Sequence, residues 1–147
     1  MFIQLFCAFF AVASFATLIE VPRRYVACSA ATGGVGWCVY QLILQMGYSS
    51  MAAAFLSTLV IAMLGQILAR VVKAPVTVFV VSGILPAVPG AAIYRSVYYL
   101  IRSETSLSVH YLMETLQIAG AIAMAIFIVD SAFRLLQYYQ EKGAMRS

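Results

Sequence analysis

A chain of 147 residues that is 64% hydrophobic and only 10% charged carries more apolar surface than a soluble fold of that length can hide. Its mean hydropathy of +0.97 directs the surplus at lipid, so the bilayer is the first partner expected. The net charge of +4 does not indicate nucleic acid, because the basic residues sit at the ends of apolar runs and no basic face alternates with aromatics.

A transmembrane helix needs about 20 apolar residues to cross about 30 Å of hydrocarbon. The first run, residues 1–19, has no basic residue ahead of it. Arg23 and Arg24 follow it instead, which suits a retained helix rather than a secretory signal. Glu20-Val21-Pro22-Arg23-Arg24 makes a short polar turn in which proline stops the helix. The second run covers residues 26–46, and the uncharged link Gly47-Tyr48-Ser49-Ser50 leads to the third, 51–69, closed by Arg70 and Lys73.

The fourth run, residues 74–101, is interrupted near its middle by Pro86-Ala87-Val88-Pro89-Gly90. Two prolines remove two backbone donors and glycine adds a flexible point, so the pattern predicts a helix, a break and a half-helix from about Ala91. Residues 102–110 are expected as a polar loop, 111–133 as the fifth span and 134–147 as a polar cytoplasmic tail. The predicted fold class is thus an all-α integral membrane protein. It is a single transmembrane domain of about five helices, with the fourth broken at Pro86–Gly90.

Charge orients these spans. With five crossings, one face receives Arg23, Arg24, Arg70, Lys73, Arg134, Lys142 and Arg146, and the other only Arg102, with His110 and two acids nearby. The positive-inside rule then places the N-terminus outside and the C-terminus in the cytoplasm of a bacterial inner membrane. This split emerges only when the fourth run counts as one crossing.

The break is the strongest candidate for function. Backbone that leaves helical geometry inside a bilayer must be covered by protein or line a wet cavity, and transporters aim half-helix ends at substrate in this way. A proline kink packed against neighbours is the plainer account. Arg95, just over one turn into the half-helix, either holds a substrate carboxylate beside the helix dipole or snorkels to the interface or a partner's acid. Gln66 within the third run is helix glue or lines a path. Asp130 forms an intrahelical pair with Arg134 or carries a coupling proton, and Glu114 stands in the same relation to His110.

Ser29, Thr32, Gly33, Gly36 and Tyr40 recur at helical spacing on the second run and leave a groove of small side chains, and Ala54, Thr58, Ala62, Gly65 and Ala69 repeat the theme on the third, as close helix packing requires. Cys7, Cys28 and Cys38 lie in apolar runs with no zinc spacing, and no Ser/His/Asp or Cys/His arrangement can be assembled. No catalytic residue, metal or cofactor is therefore expected. With no extramembrane domain expected, an ATP-driven pump is excluded for this chain alone.

Several stretches are specific. They are Val21-Pro22-Arg23-Arg24, Gly33-Gly34-Val35-Gly36-Trp37, Phe55-Leu56-Ser57 leading to Ala69-Arg70, and Lys73-Ala74-Pro75. Gly83-Ile84-Leu85-Pro86-Ala87-Val88-Pro89-Gly90 followed by Tyr94-Arg95 is the most distinctive. In these the chain resembles the threonine/serine exporter family, in particular the short form that is one half of a two-component exporter. The resemblance implies export of threonine and serine, or in some relatives succinate, driven by the proton gradient. It implies a larger membrane subunit as partner and a small carboxylate-bearing substrate; the break and the intramembrane polar groups make Pro86, Pro89, Gly90, Tyr94, Arg95 and Gln66 the candidate substrate-binding or pathway residues. A homo-oligomer, and a purely structural subunit scaffolding a partner that holds the path, are the alternatives.

Overall fold

A computed structural model describes residues 2–144; Met1 and residues 145–147, with Arg146 of the basic face, lie outside it. The described residues form six α-helices: α1 (Phe2–Leu18), α2 (Arg23–Gln45), α3 (Ser50–Val72), α4 (Val76–Gly83), α5 (Gly90–Ile101) and α6 (Thr105–Ala144). A 3-10 turn, Leu85–Ala87, sits between α4 and α5.

Four of the connections share one device. Each contains a single residue in the left-handed region: Glu20 (φ 59°), Gly47 (φ 84°), Lys73 (φ 53°) and Ser103 (φ 61°). A left-handed residue just past a helix lets the chain reverse while capping the last carbonyls; Ala74 N–H thus bonds Ala69 O at 3.0 Å. Pro22 and Pro75 then set the entering angle of α2 and α4. Ser49 caps α3 by accepting from the Ala52 amide at 3.3 Å.

By length and apolarity α2, α3 and α6 can each cross a membrane, and α4 with α5, bent by 50° at the break, makes a fourth candidate span. This is an all-helical, multi-pass membrane protein. The expected count of five rests on α1, whose 17 residues reach about 25 Å, shorter than the other spans. Two further expectations change. The loop expected over residues 102–110 shrinks to a three-residue turn, because Thr105–His110 holds no glycine or proline and the Ser108 face of the helix packs on α5. The expected tail continues as helix to Ala144, giving α6 40 residues, about 60 Å and twice a bilayer core.

Small residues set the packing. A Cβ on Gly33 would run into Val12 of α1, one on Gly36 into Ile61 of α3, and one on Gly65 into Val80 of α4. Three interfaces therefore close at near-backbone distance, the arrangement that substitutes for hydrophobic driving force between helices in lipid. Ser29 Oγ donates to Val78 O at 3.2 Å across the α2–α4 seam. Tyr25 and Phe79 meet edge to face at 6.1 Å over Ala16, Val21 and Ala69. The second part of the fold is different: α5 packs on α6 alone, and α6 returns along α3.

Candidate functional site: a cleft at the helix break

The break begins level with Trp37, two turns short of the end of α2. Ser29 neighbours Val78, and eight residues further along both chains Trp37 neighbours Pro86. Within it, Ala87 N–H bonds Ile84 O at 2.9 Å and Gly90 N–H bonds Val88 O at 2.8 Å. Proline removes the two donors that would otherwise be orphaned. What is left open is the N-terminus of α5, where Pro89 offers no side-chain cap. The first amides of a helix have no intrahelical acceptor and carry the positive end of its dipole.

A cavity of about 240 Å³ lies against that end. Pro86, Ala87, Val88 and Pro89 form one wall, Ala91, Ala92 and Arg95 of α5 the next. Glu114 and Ile118 of α6 face them, and Trp37, Tyr40 and Ser50 close the side toward α2 and α3. The Arg95 guanidinium lies over the Tyr111 ring, 5.5 Å from its centroid, so an aromatic on α6 steers it. No salt bridge joins Arg95 to Glu114, although both border the cavity. Trp37 stacks on Tyr40 at 5.4 Å, and its buried indole N–H has no hydrogen-bond partner. An orphaned donor of this kind is costly unless something occupies the space beside it.

The structure divides the residues singled out from the sequence between two places. Pro86, Pro89, Arg95 and Glu114 come together at the cleft, with Gly90 opening α5 beside it and no neighbour within 4 Å of where its Cβ would stand. Tyr94 does not line it: the side chain is 69% exposed on the outer face of α5 and stacks on Tyr98. Glu114 forms no ion pair with His110; the His110 ring instead meets Tyr111 edge-on at 5.4 Å.

Gln66 and Asp130 are also absent from the cleft and meet each other at the opposite end of α3 and α6. Gln66 Nε2 donates to Asp130 Oδ1 at 3.2 Å, and Arg134 Nε donates to Asp130 Oδ2 at 2.7 Å, the intrahelical pair that their spacing suggested. Trp37, Tyr40 and Ser50 were not read as lining residues from the sequence. The available signal was the spacing of Trp37 and Tyr40, one turn apart on one face of α2, with polar atoms that need partners inside a membrane.

Long apolar helices with one broken span, and a cleft at that break bordered by Arg95 and Glu114, define a multi-pass helical membrane protein. Comparison with known families agrees. The family model described as Threonine/Serine exporter, ThrE, matches residues 4–132, and the chain belongs to that family. It is a family of transporters, not of enzymes. No match was found among curated proteins or among solved structures.

Proposed function

We propose that this chain is the small subunit of a secondary exporter that moves threonine and serine out across a bacterial inner membrane, with the cleft at the break as its binding site. The observation that carries this reading is the pair Arg95 and Glu114, which border one cavity without pairing. A zwitterionic amino acid supplies what each lacks: its carboxylate suits the guanidinium and the dipole end of α5, and its ammonium suits Glu114. Tyr40, Ser50 and the Trp37 indole surround the remaining space with groups able to meet a small hydroxylated side chain.

A dicarboxylate such as succinate fits this lining poorly. Its second carboxylate would meet Glu114, a repulsion of about 3 kcal/mol at about 5 Å with an effective dielectric near 20. A larger membrane subunit, or a second copy, is supported by the outer face of α5. There Tyr94, Val97 and Ile101, the last 79% exposed, leave apolar surface open among the described residues. Coupling to the proton gradient rests on the family resemblance, with Glu114 and Asp130 the carboxylates available to carry the proton. The basic groups Arg23, Arg24, Arg70 and Lys73 support a cytoplasmic location for the α2 start and the α3 end.

Efflux of labelled threonine, serine and succinate, from cells with and without the chain, tests the reading. Chain-dependent loss of threonine and serine is expected, with Glu114→Gln lowering it at least tenfold. Chain-dependent succinate efflux, or threonine efflux indifferent to Glu114→Gln, overturns it.

A further inference from the structure

The opposite end of the α3–α6 pair holds a second cavity bordered by charges of both signs, here tied together by hydrogen bonds. A cavity of about 390 Å³ is bordered there by Gln66, Arg70, Asp130 and Arg134, with Ala74 and Gln137 at its edge. Gln66 is only 6% exposed, and its amide faces both charges. Its Oε1 accepts from Arg70 Nη1 at 3.0 Å, and its Nε2 donates to Asp130 Oδ1 at 3.2 Å. Arg70 Nη1 also donates to Gln66 O at 2.8 Å, and the guanidinium lies 4.5 Å above the Phe133 ring. A buried neutral amide thus holds a cation and an anion on its two sides, facing one cavity, without letting them pair.

Structural glue alone does not call for this arrangement. Two helices fastened by opposite charges would gain most from a direct, bidentate Arg70–Asp130 pair. Asp130 instead pairs with Arg134, whose side chain is 78% exposed and whose contribution is correspondingly small and easily exchanged. The two polar sites are kept apart. Ser50 and Gln66 are sixteen residues apart on α3, as are Glu114 and Asp130 on α6, which is about 24 Å on each helix. Between them Ile118 and Ile122 of α6 close on Ala54 of α3, with Tyr40, Ile84 and Ile126 around them. Among the described residues this apolar cluster stands between the two cavities.

We infer that the Arg70–Gln66–Asp130 cavity is a second binding station for a zwitterionic amino acid, loaded from the basic, cytoplasmic end before the cleft at the break receives it. The inference rests on the exporter reading above. Arg70 takes the carboxylate with the guanidinium donors that Gln66 leaves free. Asp130 takes the ammonium by exchanging its exposed Arg134 partner.

The test uses the full chain with its co-purifying partner in nanodiscs, where both faces are open, after Cys7, Cys28 and Cys38 are replaced by serine. A single cysteine is placed at Gln137 for the inner cavity or at Val88 for the cleft, and its rate of reaction with a charged maleimide is measured. Threonine is expected to slow labelling at least threefold at both positions. Lactate, which lacks the ammonium, and ethanolamine, which lacks the carboxylate, should slow neither. Asp130→Asn, which can still accept from Gln66, should abolish protection at Gln137 while Val88 stays protected. Protection at Val88 without protection at Gln137, or protection at Gln137 that survives both Asp130→Asn and Arg70→Ala, overturns the inner station and leaves the exporter reading standing. Protection at neither position removes both.

Discussion

Ser96 of α5 and Ser108 of α6 exchange hydrogen bonds: each hydroxyl donates to the other residue's backbone carbonyl, at 3.0 and 2.8 Å. Both residues are buried, and they lie one residue beyond Arg95 and six before Glu114. The exchange therefore fixes how the two charged walls of the cleft stand relative to one another. It also explains how α5, which packs on no other helix, is held in place. Tyr99 and Tyr111, stacked at 5.6 Å, extend the same seam.

Replacing either serine by alanine removes one bond of the pair and should lower stability by about 0.5–1.5 kcal/mol. A functional effect should accompany it, since the positions of Arg95 and Glu114 depend on the seam. An increase in the apparent KM for threonine efflux is expected, with the amount of assembled protein nearly unchanged. Thermal melting in detergent and efflux kinetics read the two effects separately. Unchanged kinetics in Ser96→Ala/Ser108→Ala would show that the seam does not position the cleft.

Gly36 is the position where the α2–α3 approach leaves least room, because a Cβ there meets the buried Ile61 side chain. Gly36→Ala should cost about 1–3 kcal/mol by overpacking, and Gly36→Val should block accumulation of the protein. At Gly90 nothing lies within 4 Å of the added carbon, so Gly90→Ala should leave stability within about 0.5 kcal/mol. Expression and melting of the two alanine variants, side by side, check the contrast.

The proposed orientation, argued from the distribution of basic residues, is open to a direct test. Reporter fusions after Arg24, after Lys73 and at the C-terminus should all give a cytoplasmic signal, and one after Ser103 a periplasmic signal. A periplasmic signal from any of the first three would reverse the assignment of inner and outer cavities.

Much of this molecule is legible in its sequence because lipid imposes a simple rule on spans: long apolar runs, with charge at the ends. The runs that became α2 and α3, and the break at Pro86–Gly90, follow directly from apolarity and proline chemistry. The start of α6 is not legible in the same way: the polarity of residues 102–110 reads as loop, whereas the Ser108 hydroxyl bonds the Ser96 carbonyl of α5 from within the helix. Of the site, Pro86, Pro89 and Arg95 are visible because a break and an intramembrane charge are each costly alone. Glu114 reaches the same cleft only through the α5–α6 turn, and Trp37, Tyr40 and Ser50 only through the register of α2 with the break. Gln66 and Asp130 were singled out separately, and nothing in a 64-residue separation says that they touch.

The last prediction concerns the cleft itself. Arg95→Ala should reduce threonine efflux at least tenfold, about 1.4 kcal/mol of binding or barrier, without loss of assembled protein. Arg95→Lys should restore only part, because lysine keeps the charge but not the planar fork that can hold a carboxylate with two donors. Single cysteines distinguish a water-lined break from a packed kink. Val88 and Ala91 are exposed at the cleft and should react quickly with water-soluble thiol reagents, with protection by threonine. Ala87, at 7% exposure, should react more slowly at the same reagent concentration. In a chain where Val88 and Ala91 stay inert and Arg95→Ala exports normally, the break only bends the helix, and the substrate site lies elsewhere.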